Sequence, residues 1–135
     1  MGVNKEYFLF TLSVNYLYGT LALDIVFCNK TLEKYAHDDR LAKRKLGDRR
    51  AKAFKARLDT IDTLDNLGWE VIKHFPGRFH PLKENRKMQW SADLDHPYRL
   101  IFRPLNAVAS VDGHGRYVWE DVTAIEIIEI VDTHE

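Results

Sequence analysis

A chain of 135 residues with 45% hydrophobic content is long enough for one ordinary domain around one core. Its single cysteine, Cys28, excludes an internal disulfide and a thiol cluster for zinc; at the end of an apolar run it reads as a small core residue. The 20 Lys/Arg balance the 20 Asp/Glu, but unevenly along the chain: residues 28–104 hold 18 Lys/Arg against 11 Asp/Glu, and residues 105–135 hold one Arg against seven acids. A basic body that ends in an acidic strand is a polar asymmetry able to steer an anion.

Residues 7–22, YFLFTLSVNYLYGTLA, are apolar, aromatic and uncharged. Glu6 spoils the basic flank of a secretory signal, and Asn15 and Gly19 interrupt the run. The run reaches the roughly 20 residues of a membrane span only by passing through Asp24. The expectation is an N-terminal extension over 1–22, packed on the domain, disordered or read from an upstream start codon. The domain itself then covers 23–135, in a cytoplasmic protein with no membrane partner.

LDIVF (23–27) reads as a core strand. Asn29 caps an opening turn, KTLEKYA, with Leu32 and Tyr35 on one side. Asp38 and Asp39 suit the first turn of a second short helix, which runs through Leu46 and ends at Gly47. In DRRAKAFKARLDTIDTLDNL (48–67) Asp48 is the expected cap, and Ala51, Phe54, Leu58, Ile61 and Leu64 form one buried stripe. Arg49, Arg50, Lys52, Lys55 and Arg57 occupy its other faces. WEVIKHF adds a last helical turn before Pro76-Gly77. Strands follow at MQWSADL (88–94), at YRLIF (98–102) after a turn at Asp95-His96-Pro97, and at VTAIEIIEIV (122–131). Between the last two, 103–121 is a long connection with turn signals at Asp112-Gly113 and His114-Gly115. This order predicts an α+β fold: an N-terminal edge strand, then two to four short helices packed on one face of a mainly antiparallel four-stranded sheet.

Residues 79–102, FHPLKENRKMQWSADLDHPYRLIF, carry more charge than a hairpin requires: Lys83, Arg86, Lys87 and Arg99 crowd beside His80. A charged hairpin is ordinarily a solvated face whose lysines guard its edge. Strand alternation predicts Arg86 on the side of Met88 and Trp90, Lys87 with Gln89 and Ser91, and Arg99 with Ile101. An arginine on a half-apolar face offers a rigid fork to phosphate, and nucleic acid is the matching polymer. His134 follows the final strand, and a hairpin that brings this end to the 79–87 loop would set His80 and His134 on either side of one phosphate. One imidazole then takes the 2′-hydroxyl proton, the other protonates the leaving 5′-oxygen, and the cations hold the charge that builds on the phosphorane. This chemistry requires no cofactor and no metal, and the spacing of acids and histidines gives no metal set.

Three blocks, DIVFCNKTLEKYAHDDRLAKRKLG, HPLKENRKMQWSADLDHPYRLIF and VTAIEIIEIVDTHE, resemble in consistent order the HigB branch of the RelE/ParE toxin superfamily, over about residues 23–134. The resemblance implies a RelE-like, microbial-RNase-like fold and the toxin of a type II toxin–antitoxin system. Such a toxin cuts messenger RNA on the ribosome, and a cognate helix-turn-helix antitoxin silences it and carries its only link to operon DNA. Position by position, the resemblance puts His80 and Lys83 in the active loop, followed by the basic pair Arg86 and Lys87, and makes Arg99 the phosphate anchor. Its C-terminal motif falls on Val131, Asp132, Thr133 and His134, which implies catalytic roles for Asp132 and His134. The chain departs from the family in having Glu84-Asn85 where Gly-Asp is common, and Thr133 where a tyrosine is usual. The resulting expectation is an endoribonuclease with His80, Lys83, Arg99, Asp132 and His134 at its centre and Arg49, Arg50, Arg86 and Lys87 as its RNA-binding face. The alternatives are a non-catalytic inhibitor of DNA gyrase, as among ParE members, and an inactive antitoxin-binding module.

Overall fold

The computed structural model describes residues 22–105 and 110–133. Most of the apolar extension, part of the 103–121 connection, and His134 therefore lie outside the described residues.

Strand β1 (Asp24–Phe27) leads into three helices, α1 (Lys30–His37), α2 (Asp39–Leu46) and α3 (Asp48–Asp62). Their boundaries follow from local chemistry. The Asn29 side chain accepts a hydrogen bond from the Leu32 amide at 2.8 Å, and Asp38 accepts one from Leu41 at 3.0 Å, so each satisfies an orphan amide of a first turn. Gly47, with φ of +88°, separates α2 from α3. Asp48 does not cap α3: it is the first helical residue, and its carboxylate lies 3.9 Å from Lys43 and 3.8 Å from Lys52. The helix stops at Asp62, short of the expected 67, yet Leu64 and Leu67 stay buried in the connection to the one-turn α4 (Trp69–Ile72).

The remaining elements are strands: β2 (His80–Pro81), β3 (Trp90–Asp93), β4 (Tyr98–Pro104), the hairpin β5 (Ser110–Val111) and β6 (Tyr117–Val118), and β7 (Ala124–Asp132). The sheet corrects the four-stranded expectation, while three of its four strand pairings are antiparallel as expected. It has five strands in the order β1-β7-β4-β3-β2, and β1 runs parallel to β7, so the sheet is mixed. The missed strand is β2, two residues long. Its Pro81 has no amide hydrogen to offer, which is tolerated here because β2 is an edge. The 103–121 connection contains the β5–β6 hairpin, whose Asp112 carboxylate accepts from the amides of His114 and Arg116. Those backbone bonds, Arg116 first, hold its pKa below the usual carboxylate value.

The helices cover one face of the sheet. Leu32, Phe54, Leu58, Ile61 and Ile72 meet Ile25, Phe27, Ala92, Leu100, Ile125 and Ile127 in one buried cluster. Trp90 and Phe102 stack within it at 6.1 Å between centroids, and Trp119 meets Trp90 edge-on at 5.2 Å. Alternation turns the intervening residues to the opposite, outer face, which none of the described helices covers.

Candidate active site

The outer face is organised in cross-strand rows. One row runs His80, Ser91, Ile101, Glu129, each opposite the next on β2, β3, β4 and β7. The neighbouring row holds Asp93, Arg99 and Val131. A third holds Arg103 and Glu126. The expected alignment of Arg99 with Ile101 is what the register shows. From strand spacing of about 4.8 Å and a two-residue repeat of about 6.8 Å, the His80 and Arg99 backbones are roughly 12 Å apart, so an imidazole and an extended guanidinium can meet at one phosphate.

His80 is oriented by its own backbone neighbourhood. Its Nδ1 lies 2.7 Å from the Arg78 carbonyl oxygen. A carbonyl only accepts, so Nδ1 carries the hydrogen and the neutral ring keeps Nε2 as a proton acceptor. That is the tautomer a general base requires.

Arg86 reaches the same face by a route that alternation did not anticipate. Met88 has φ of +73° and the strand begins only at Trp90, while Glu84–Arg86 form a single 3₁₀ turn. From that turn Arg86 donates to Gln89 at 2.8 Å and to Glu129 at 3.2 Å. Its bond to Glu129 ties the turn to the far end of the row that holds Ser91 and Ile101, and both of these are buried although none of the described helices lies over them. The Ser91 hydroxyl has no hydrogen-bond partner among the described residues. A buried donor in that state is unusual, and here it sits beside the residue expected to act as base.

Arginines and carboxylates are interleaved across the face. Asp93 receives Arg99 at 3.7 Å and Arg78 at 3.6 Å. Arg103 directs both Nε and Nη2 to one oxygen of the buried Glu126, at 3.0 and 2.8 Å. Behind Asp93, the Arg57 guanidinium donates to the Asp93 carbonyl at 2.7 Å. Burial lowers the Arg57 pKa, with Asp93 opposing the shift. Arg57 packs against Gly77, whose φ of +110° and lack of a Cβ leave room for the guanidinium.

The other expected site residues do not all join this group. Lys83 and Lys87 flank the 3₁₀ turn, exposed and without an ion pair among the described residues. Asp132 stands opposite Tyr98, one step out of phase with Arg99, and Tyr98 packs toward the helices; Asp132 therefore faces away from the Arg99 side. Arg49 and Arg50 belong to α3, in the helical layer, so they do not continue the Arg86–Lys87 surface. Arg50 is engaged structurally: it makes two bonds to Asp95, at 3.0 and 3.2 Å, and lies 3.4 Å from the Tyr98 ring centroid. His134, outside the described residues, has no stated place.

Six residues of the face escaped the sequence reading: Arg78, Ser91, Asp93, Arg103, Glu126 and Glu129. One signal was present. Glu126 and Glu129 are three positions apart, and two polar residues on one face of a strand should be an even number apart. The register supplies the missing step: Phe102 pairs with Ile127 and Ile101 with Glu129, so Ile128 is an extra residue, a bulge that turns both glutamates outward. Comparison with known protein families, with curated proteins and with solved structures finds no match.

Proposed function

We propose that the chain is the toxin of a type II toxin–antitoxin system, of RelE-like fold, acting as a ribosome-dependent endoribonuclease that needs no metal and is neutralised by a helix-turn-helix antitoxin. The observation that carries the reading is the placement of His80, in its acceptor tautomer, and of Arg86 and Arg99 on the one face of the sheet that none of the described helices covers. His80 Nε2 takes the proton of a ribose 2′-hydroxyl as that oxygen attacks the adjacent phosphorus. Arg99 and Arg86 hold the charge that accumulates on the non-bridging oxygens, and Lys83 and Lys87 draw the strand in. The 5′-oxygen leaves with a proton from an acid, the role proposed for His134. Asp93 and Glu129 hold the arginines in place until a phosphate takes over from the carboxylates.

Expression in a bacterial host tests this, with growth and mapped messenger ends as readouts. The wild-type chain arrests growth and cuts messengers. Arg99→Ala and His80→Ala each remain folded and lose about 10² to 10⁴ in cleavage rate. Undiminished cleavage by both folded variants, or growth arrest without cut messengers, overturns the proposal; the second result points to a non-catalytic inhibitor.

A further inference from the structure

A concavity of about 400 Å³ opens at the edge of the sheet, between α4, the turn that follows it and β2. Its walls are Trp69 and Phe75, Ile72 and Phe79 lie deeper, and Lys73, Arg78 and His80 stand at its rim. His80 is thus shared between this cleft and the outer face. Trp69 is 48% exposed, while Ile72 and Phe79 are buried, so the indole presents an aromatic surface to solvent beside an apolar floor. Lys73 is steadied by Glu70 at 2.8 Å, and Glu70 is not among the lining residues.

The volume lies within the range of small-ligand sites. A bare phosphate would need no aromatic wall, and an apolar side chain would need no cations. An unpaired nucleotide needs both, because its base stacks on an aromatic ring while its phosphate is held by guanidinium or ammonium groups. We propose that this cleft takes one unpaired RNA base flanking the phosphate held on the outer face, with Trp69 as the stacking platform and Arg78 and Lys73 on the backbone. The proposal rests on reading that face as the site of RNA cleavage. His80 then stands where the strand passes from the cleft to the reacting phosphate, and the cleft fixes the position of the strand as well as its affinity.

The probe is a short single-stranded oligoribonucleotide, 2′-O-methylated so that it cannot be cut and labelled with fluorescein. It is compared with versions in which one residue at a time is abasic. The intact strand binds the wild-type chain about tenfold more tightly than the version abasic at one particular position. Trp69→Ala abolishes that difference and Trp69→Phe, which keeps an aromatic face, retains most of it. Trp69 is half in solvent, so neither change threatens the core. If no abasic position weakens binding, if the intact strand does not bind, or if Trp69→Ala keeps the full difference, the subsite is overturned. Base-dependent binding through Trp69, together with undiminished messenger cleavage by His80→Ala and Arg99→Ala, leaves the subsite standing and overturns the catalytic reading instead.

Discussion

Glu129 and Asp93 are the carboxylates that a phosphate on the outer face would meet, and each has an arginine beside it, Arg86 at 3.2 Å and Arg99 at 3.7 Å. The Arg86–Glu129 pair is 3.2 Å long and its side chains are 41% and 42% exposed, a setting in which an ion pair contributes less than about 1 kcal/mol. Glu129→Gln should therefore leave the unfolding midpoint nearly unchanged. It removes a negative charge from the proposed phosphate site and the ion-pair partner of Arg86, which Gln89 still holds, so single-stranded RNA should bind several-fold more tightly at low salt. Fluorescence anisotropy measures this, and unchanged or weaker binding would refute the competition between Glu129 and phosphate. Gly77 makes a different demand. Its φ of +110° is strained for any other residue, and an added Cβ would collide with Arg57. The Gly77 carbonyl also accepts from the Asp93 amide at 2.7 Å. Gly77→Ala should cost about 1–3 kcal/mol in urea unfolding and disturb Asp93 with it; a wild-type midpoint would show that the turn relaxes freely.

Elements whose cause is local were legible. Asn29 caps its helix because the acceptor and the amide it satisfies are three residues apart, Asp38 does the same one position before the first turn in which it was expected, and the α3 stripe of Ala51, Phe54, Leu58 and Ile61 is buried as its spacing requires. Elements whose cause is a distant partner were not. β2 exists only because His80 and Pro81 find Ser91 and Trp90, and the parallel pairing of β1 depends on where β7 ends up. In the site, Arg99 was legible because strand alternation fixes its face, whereas Arg86 comes from a 3₁₀ turn that alternation does not describe. Arg50, expected on the RNA-binding face, is held by Asp95 and Tyr98, distant partners that helix spacing does not reveal. Its side chain is 24% exposed and that of Asp95 18%, so this tie holds α3 against the sheet in a sheltered place. Arg50→Ala should destabilise the fold by about 1–3 kcal/mol through the lost charge-assisted bonds and ring contact, while RNA affinity per folded molecule stays unchanged. Thermal unfolding together with RNA titration separates the two; weaker RNA binding at full stability would restore Arg50 to the RNA surface.

Along the chain, charge is divided into a basic body and an acidic C-terminal stretch, which suggests two poles. The folded molecule does not keep them apart. β7 lies between β1 and β4, so its glutamates enter the basic region and pair there: Glu126 with Arg103, Glu129 with Arg86. What remains for a polyanion is the set of cations without such partners among the described residues, and Lys83 and Lys87 beside the 3₁₀ turn are the clearest of these. For single-stranded RNA each neutralised phosphate contributes about 0.7 to the slope of log affinity against log salt concentration. Lys83→Ala and Lys87→Ala should therefore each flatten that slope by about 0.7, with no change in the unfolding midpoint, because both side chains are exposed and make no ion pair among the described residues. Arg103→Ala should behave in the opposite way. It leaves Glu126, 1% exposed, without its guanidinium, so the loss falls on stability and the salt slope changes little. Titrations of the three variants across a salt series decide the matter. If the lysine variants keep the wild-type slope, the strand does not run along the 83–87 loop, and the path of RNA over the outer face has to be drawn from the Arg78 side instead.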